Sequence, residues 1–165
     1  LSRFASAYPS DSAFVDLGRA YMLVGRLDSA AMVLKSAIAL NPDRTDADEF
    51  LGGMLAEQGR AAEAIALLER AAQGGRRSPV LFGLMSLAYA EGGRHADAVE
   101  AARAAASAGS TDANVYVLAG RAMLAAGEPS LAQSYLSRAL QLSPSNRDAA
   151  AALRAIQGGP SDKRD

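Results

Sequence analysis

The apolar positions near the start of the chain predict a pair of amphipathic helices. The first helix has one apolar stripe with the spacing i, i+3, i+4 and i+7, formed by Phe14, Leu17, Gly18 and Tyr21. Ser10 or Asp11 can cap this helix, and Gly25 after it allows a turn with positive φ. A second helix, which we expect Asp28 to cap, ends before Pro42.

This pattern recurs with a period of 34 residues. Three columns hold one residue type in four successive segments: Gly25, Gly59, Gly93 and Gly127; Ala30, Ala64, Ala98 and Ala132; Ala37, Ala71, Ala105 and Ala139. With 15 Gly in 165 residues, the chance of one filled glycine column is roughly 1 in 1,000. We therefore divide the chain into four helix–turn–helix repeats, at residues 11–44, 45–78, 79–112 and 113–146.

The first repeat resembles the tetratricopeptide repeat, a helix–turn–helix unit of 34 residues. The resemblance is carried by Phe14-x-x-Leu17-Gly18-x-x-Tyr21, Ala30-x-x-x-Leu34, Ala37 and Pro42. It covers residues 11–146 as four tandem copies, with Phe where the family often has Trp. The resemblance implies an all-α fold, a right-handed superhelical solenoid of antiparallel helix pairs.

The segments outside the four repeats are predicted to differ from them. We interpret residues 1–10 as the remnant of a preceding repeat or as an N-terminal extension. Residues 147–157 are predicted to form a C-terminal capping helix, and residues 158–165 a disordered tail. The chain begins with Leu1 and shows no signal-peptide pattern, so we interpret it as a piece of a longer or processed protein, which leaves its compartment open.

Composition and charge exclude several classes of function. The chain carries 17 basic and 18 acidic residues, a formal charge of −1, so no general field attracts nucleic acid. It has no run of 18 apolar residues, and we expect no membrane insertion. The absence of Cys excludes disulfides, thiolate metal sites and cysteine catalysis.

We predict that the chain is not an enzyme and holds no metal and no cofactor. His95 is its single histidine and falls at a turn, so no histidine dyad or histidine-rich metal site can form. No phosphate-binding or nucleophile motif occurs. The acidic residues Asp46, Asp48 and Glu49 suit the first turn of a helix, where the helix dipole favours them, and ligand contact is the alternative.

Candidate binding residues lie on a second face of the first helix of each repeat. At about 100° per residue, Ser12, Val15, Arg19 and Met22 cluster roughly 130° from the core stripe. The resemblance implies that this face lines the concave side of the superhelix, where peptides bind. The matching positions are Asp46, Glu49 and Gly53 in the second repeat, Val80, Gly83 and Leu87 in the third, and Asn114, Val117, Arg121 and Leu124 in the fourth.

The chemistry of these positions suggests a groove for a partly apolar ligand. We expect exposed apolar side chains here, and such groups usually mark a binding surface: Val15, Met22, Val80, Leu87, Val117 and Leu124. Burial of some of them by neighbouring helices is the alternative. Gly53 and Gly83 would leave room, and Asp46 and Glu49 would favour basic side chains in the ligand.

The predicted function is that of a non-catalytic module that binds a peptide or helix of a partner protein in its concave groove. Two alternatives stay open. The chain could be the C-terminal accessory domain of a larger enzyme or assembly protein, or it could be a scaffold that associates with itself as a homo-oligomer.

Overall fold

The computed structural model describes residues 10–158, and these residues form nine α-helices and no strand. In chain order the helices are α1 (Asp11–Leu23), α2 (Leu27–Leu40), α3 (Thr45–Glu57), α4 (Ala61–Gln73), α5 (Pro79–Glu91), α6 (His95–Ser107), α7 (Ala113–Ala125), α8 (Pro129–Leu142) and α9 (Arg147–Gln157). The all-α fold predicted from the sequence is confirmed. Apart from Ser10 and Gly158, the predicted N-terminal remnant and C-terminal tail lie outside the described residues.

The chain divides between Arg76 and Arg77 into two compact units. Unit 1 contains the hairpins α1–α2 and α3–α4, and α2 also packs on α3. Unit 2 contains the hairpins α5–α6 and α7–α8, and both helices of the first hairpin pack on α7. The last helix, α9, packs on α8 and α7.

A glycine with positive φ builds the turn inside each hairpin, as the glycine column predicts. The φ angles of Gly25, Gly59, Gly93 and Gly127 are 73°, 73°, 76° and 77°. In the first hairpin the N–H of Arg26 donates to the carbonyl of Tyr21 at 2.9 Å, and the N–H of Gly25 donates to Met22 at 3.0 Å. These bonds satisfy the last carbonyls of α1 and reverse the chain.

Side-chain caps begin several helices, but not the second helix of a hairpin. Ser10 and Ser78 accept hydrogen bonds from the third residue after them, and Asn146 does the same for α9. The prediction that Asp28 caps α2 is wrong, because Arg26 occupies the N-cap without a side-chain hydrogen bond. Asp28 lies in the first turn instead, where its charge complements the helix dipole.

Each hairpin closes around a small residue in its first helix. A Cβ built at Gly18 would lie 2.7 Å from Cγ of Leu34, which is closer than real atoms pack. Gly52 faces Leu68 at 2.9 Å, and Gly120 faces Leu136 at 2.6 Å. We define this contact as the glycine–leucine notch.

The third repeat replaces both partners of the notch. Ser86 stands at the glycine position and Ala102 at the leucine position, and both are 0% exposed. The hydroxyl of Ser86 donates to the carbonyl of Gly83 at 2.8 Å, so the added oxygen is satisfied. A larger residue on one side is therefore matched by a smaller residue on the other.

Unit 2 ends with α9, whose apolar side is covered. Ala149 and Leu153 belong to one buried cluster with Tyr116 of α7 and Leu136 of α8. The opposite side of α9 exposes Arg147, Asp148, Arg154 and Gln157. This arrangement buries apolar surface of α7 and α8 that water would otherwise reach.

The notch generates a testable prediction for folding stability. Gly18→Ser should lower the free energy of unfolding by about 1–3 kcal/mol through overpacking, and Leu34→Ala should lower it by about 2–5 kcal/mol through a cavity. The double variant reproduces the pair of the third repeat, so it should cost at least about 1 kcal/mol less than the sum. Urea denaturation followed by circular dichroism measures each value. Ala62→Ser combined with Leu34→Ala is the control and should be additive, and additive losses at Gly18 and Leu34 would contradict the notch.

Candidate interaction surfaces

The structure buries several side chains that the sequence predicts to be exposed for binding. Val15 and Leu87 are each 2% exposed, and Val117 is 7% exposed. A Cβ at Gly83 would lie 3.2 Å from Cδ1 of Leu118, so this position of α5 faces α7. Val15 and Val117 share that position in their repeats, and Val117 packs in one cluster with α9. The expectation that these apolar groups are exposed is wrong, since the first helices of neighbouring repeats also pack on one another.

The two glycines predicted to leave room in the groove are buried as well. Gly53 lies in the buried part of α3, and the space beside Gly83 is taken by Leu118. The predicted binding residues that stay at least partly accessible are Ser12, Arg19, Met22 and Asp46 in unit 1, and Val80, Asn114, Arg121 and Leu124 in unit 2. Binding by these residues stays a prediction.

The acidic cluster of the second repeat is neutralised by arginines. Asp48 is 0% exposed, and the guanidinium of Arg70 holds both of its carboxylate oxygens, with Nε at 2.7 Å from Oδ2. Glu49 is 6% exposed and forms an ion pair with Arg76. The hydrogen bond from Arg70 to Asp48 raises the pKa of Arg70. Both carboxylates are therefore structural, and no buried side-chain N or O within residues 10–158 lacks a partner.

Asp46 and Asp11 both form ion pairs with another arginine, Arg44. The guanidinium of Arg44 donates to both oxygens of Asp46 at 3.0 and 3.1 Å, and its Nη1 lies 3.3 Å from Oδ2 of Asp11. The amide of Asn41 donates to Asp11 at 2.7 Å, and this bond, followed by that of Arg44, lowers the pKa of Asp11. The expectation that Asp46 and Glu49 attract basic ligand side chains is therefore wrong, because arginines of this chain already occupy both carboxylates.

In the second repeat, Asp48 stands where the other repeats have an aromatic residue. The positions of Asp48 and Arg70 are those of Tyr116 and Arg138 in the fourth repeat. There, the guanidinium carbon of Arg138 lies 6.0 Å from the centroid of the Tyr116 ring. One pair of positions thus holds an ion pair in unit 1 and a cation–π contact in unit 2.

Unit 1 carries an apolar and basic patch that sequence reasoning found only in part. The guanidinium carbon of Arg19 in α1 lies 5.3 Å from the ring centroid of Phe50 in α3. Together with Met22 and Leu23 they line a pocket of about 340 Å³. Leu23 is 89% exposed, the highest value among the exposed large apolar residues described. We define Arg19, Met22, Leu23 and Phe50 as the α1–α3 patch.

The repeat register contains a signal for this patch. Leu23, the last residue of α1, and Val24, its C-cap, are large apolar residues, where the second repeat has Glu57 and Gln58 and the fourth has two alanines. Arg19 and Met22 were predicted from the helical angle, but Leu23 falls outside the sector that the angle selects. A large apolar residue at a position where other repeats have polar or small residues therefore indicates an exposed apolar patch.

The described residues offer no site for a metal ion. Residues 10–158 hold no group of three or more His, Asp or Glu side chains that could bind one. None of the helices described there is both long enough and apolar enough to span a bilayer. His95 begins α6 and is exposed.

Comparison with known proteins assigns the repeats. The profile of the tetratricopeptide repeat family matches residues 15–79, which include most of unit 1. Residues 15–79 therefore belong to tetratricopeptide repeats. No curated protein matches the sequence. The tetratricopeptide-repeat fold is that of protein–protein interaction modules, which are generally non-catalytic.

Solved structures extend the tetratricopeptide-repeat fold over most of the chain. A chain of the APC/C hetero-tetramer Cut9–Hcn1 is similar, with a TM-score of 0.76 and 21% identity. The similarity covers 89% of this chain but only 30% of that protein. YrrB, a tetratricopeptide-repeat protein with an unusual peptide-binding site, has a TM-score of 0.67 at 15% identity, covering 94% of this chain and 80% of YrrB. The thermophilic protein TTC0263 of Thermus thermophilus has a TM-score of 0.70 at 19% identity, covering 90% and 81%. At these identities the likeness shows the fold alone.

The ion pair of Asp48 and Arg70 generates a prediction for stability, and the equivalent positions of the other repeats supply the variants that test it. Arg70→Ala leaves Asp48 buried without its partner, and should lower the free energy of unfolding by about 2 kcal/mol, below the roughly 3–5 kcal/mol for a wholly buried pair because Arg70 is half exposed. Adding Asp48→Phe gives the Phe82 and Ala104 pair of the third repeat, and should recover most of the loss. Urea denaturation measures both variants.

Arg138→Ala is the matched control for this experiment. It removes a cation–π contact at the same position of unit 2 and should cost only about 0.5–1 kcal/mol. Equal losses for Arg70→Ala and Arg138→Ala would contradict the structural role of the buried carboxylate.

Proposed function

We propose that the chain is a non-catalytic interaction module that binds a segment of a partner protein at the α1–α3 patch of unit 1. The observation that carries the proposal is the exposure of Leu23 beside the pocket formed with Arg19, Met22 and Phe50. Unpartnered apolar side chains around a pocket are costly in water, and they become favourable when a partner covers them. A rigid helical support lowers the ordering cost on the receptor side.

The chemistry of the patch defines the kind of segment it fits. Met22 and Leu23 provide apolar contact area, and Phe50 provides an aromatic surface at the floor. Arg19 lies over that ring and is held by Asp16 only at 3.8 Å, with both side chains more than half exposed. Its guanidinium can therefore donate to a backbone carbonyl or carboxylate of a bound segment. The expected ligand is an apolar side chain in a peptide or helix that also presents an acceptor to Arg19.

The experiment is capture of the partner from a lysate of the source organism, quantified by mass spectrometry. Leu23→Asp should reduce capture by about tenfold or more, because it places a charge in the apolar centre of the patch. Helical content should not change, since Leu23 is exposed. Phe50→Ala should weaken capture too, by removing the floor of the pocket.

Met32→Asp is the matched control, because Met32 is an apolar residue of α2 that is 66% exposed. It should leave capture unchanged. Loss of capture with Met32→Asp but not with Leu23→Asp would place the interaction elsewhere in unit 1.

A second candidate function, self-association, is favoured by a different face of α1. Leu17 is 42% exposed, and Ala13 and Ala20 on the same face are exposed as well. The equivalent residues of α3, on which α2 packs, are Ala47, Leu51 and Met54, and none is more than 4% exposed. Those of α7, on which α6 packs, are Val115, Ala119 and Ala122, at no more than 1%. This face of α1 has the composition of a helix-packing face, and a second copy of the chain could cover it.

Light scattering over a range of concentrations tests this candidate. The unsubstituted chain should gain mass as its concentration rises, and Leu17→Glu should remain a monomer, while Met32→Glu should behave as the unsubstituted chain does. A monomeric mass for the unsubstituted chain at every concentration would refute self-association without affecting the α1–α3 patch.

A further inference from the structure

A second pocket of unit 1 lies between the second helices of its two hairpins. Ile38 of α2 and Leu67 of α4 form its walls, and Leu51 and Leu55 of α3 form its floor. Its volume is about 350 Å³, and none of its lining residues belongs to the α1–α3 patch. We define this pocket as the α2–α4 groove.

Unit 2 shows which side chain fits such a groove. The positions of Leu67 and Lys35 in unit 1 are those of Tyr135 and Arg103 in unit 2. Tyr135 of α8 is partly buried and packs with Ala106 of α6 around the core cluster of unit 2. Tyr135 of α8 and Ala106 of α6 thus lie against the same cluster, which places the phenol beside α6. Burial raises the pKa of Tyr135, and the charge of Arg103 on α6 opposes that rise.

The matched positions of unit 1 leave the same space open. Leu67 stands where unit 2 has Tyr135, and Ile38 stands where unit 2 has Ala106. The larger residue on α2 does not fill the space that the missing ring leaves, and a pocket remains between α2 and α4. The register thus provides an internal example of the missing occupant, which is an aromatic ring inserted between two second helices. Rings of this kind contribute a large apolar area with few rotatable bonds.

The rim of the groove adds a preference for negative charge. Two of its three charged residues are engaged within the chain, since Arg70 holds Asp48 and Glu63 is bonded by Nε of Arg60 at 2.8 Å. Lys35 is exposed on α2 and takes part in no ion pair among residues 10–158. Its position is that of Arg103, which lies near the phenol in unit 2. A carboxylate next to the inserted ring would therefore meet an ammonium group.

The geometry points to the α2–α4 groove as a binding site for an aromatic side chain of a partner protein, flanked in that partner by an acidic residue. The ring occupies the space between Ile38 and Leu67, above Leu51 and Leu55. The acidic neighbour lies at the rim beside Lys35. This site is separate from the α1–α3 patch, and either can exist without the other.

Methyl NMR tests the site with small probes. N-acetyl-aspartyl-tyrosine amide should shift the methyl resonances of Ile38 and Leu67 with roughly millimolar affinity, while those of Leu153 in unit 2 stay unchanged. The corresponding aspartyl-alanine amide should produce no shift, and the lysyl-tyrosine amide should bind more weakly than the aspartyl form. No shift with any tyrosine probe, or equal shifts with the alanine probe, would overturn the proposal.

Two substitutions exchange the occupants of the two units. Leu67→Tyr places in unit 1 the residue that fills unit 2, and should weaken probe binding by at least about tenfold. Tyr135→Leu should open the equivalent groove, so that the probe now shifts the methyl of Met123, and Tyr135→Phe should keep it closed. Undiminished binding by Leu67→Tyr would overturn the proposal.

Lys35→Glu keeps the proposal testable if Leu67→Tyr fails to fold. It should reverse the preference between the aspartyl and lysyl probes without removing binding of the ring. An unchanged preference would refute the role of Lys35. Phe50→Ala should leave all of these results as they are, so failure of the α1–α3 patch and failure of this groove are distinguishable.

Discussion

Close approach of the two helices in each hairpin is the constraint on which the rest of the structure depends. Three of the four hairpins meet it with a glycine in the first helix and a leucine in the second, at separations that exclude even a Cβ. The remaining hairpin meets it with Ser86 in place of the glycine and Ala102 in place of the leucine, so the first residue is larger and the second smaller. A mid-helix glycine costs about 1 kcal/mol relative to alanine. The buried leucine that it admits offsets this cost, since a fully buried leucine contributes about 1.5–3 kcal/mol.

The notch also determines which side chains are left to interact with other molecules. It turns the glycine or serine position of each first helix towards its own partner, while the position of Val15, Gly83 and Val117 is used for packing on neighbouring helices. Residues beside these two sectors remain accessible. At the position of Leu23 the other repeats have Glu57, Glu91 and Ala125, so Leu23 is the one large apolar residue there. The exposed centre of the α1–α3 patch is therefore a departure from the repeat, next to a core that follows it.

The period predicted the helices well because it carries local information. Glycine turns and helix spacing follow from residues within one hairpin, and each hairpin lies inside one of the four repeats defined by the period. The exposed face was predicted less well. The prediction assumed that each first helix buries a single stripe of residues. In the structure such a helix packs on several neighbouring helices, so a larger part of its surface is buried, including Val15 and Leu87. The ion pairs of Asp48 and Glu49 join residues 22 and 27 positions apart, and neither follows from helical spacing. Comparison of Arg70 with Arg138 through the register would have indicated the first of them.

Hydrogen exchange of the chain, alone and with the captured partner, tests the central claim most directly. The claim is that a partner covers the α1–α3 patch on a preformed helical support. It predicts that the partner slows amide exchange at the C-terminal end of α1 and in the middle of α3, and leaves α6, α8 and α9 unchanged. Slower exchange confined to unit 2 would contradict the account, as would protection spread evenly over all nine helices.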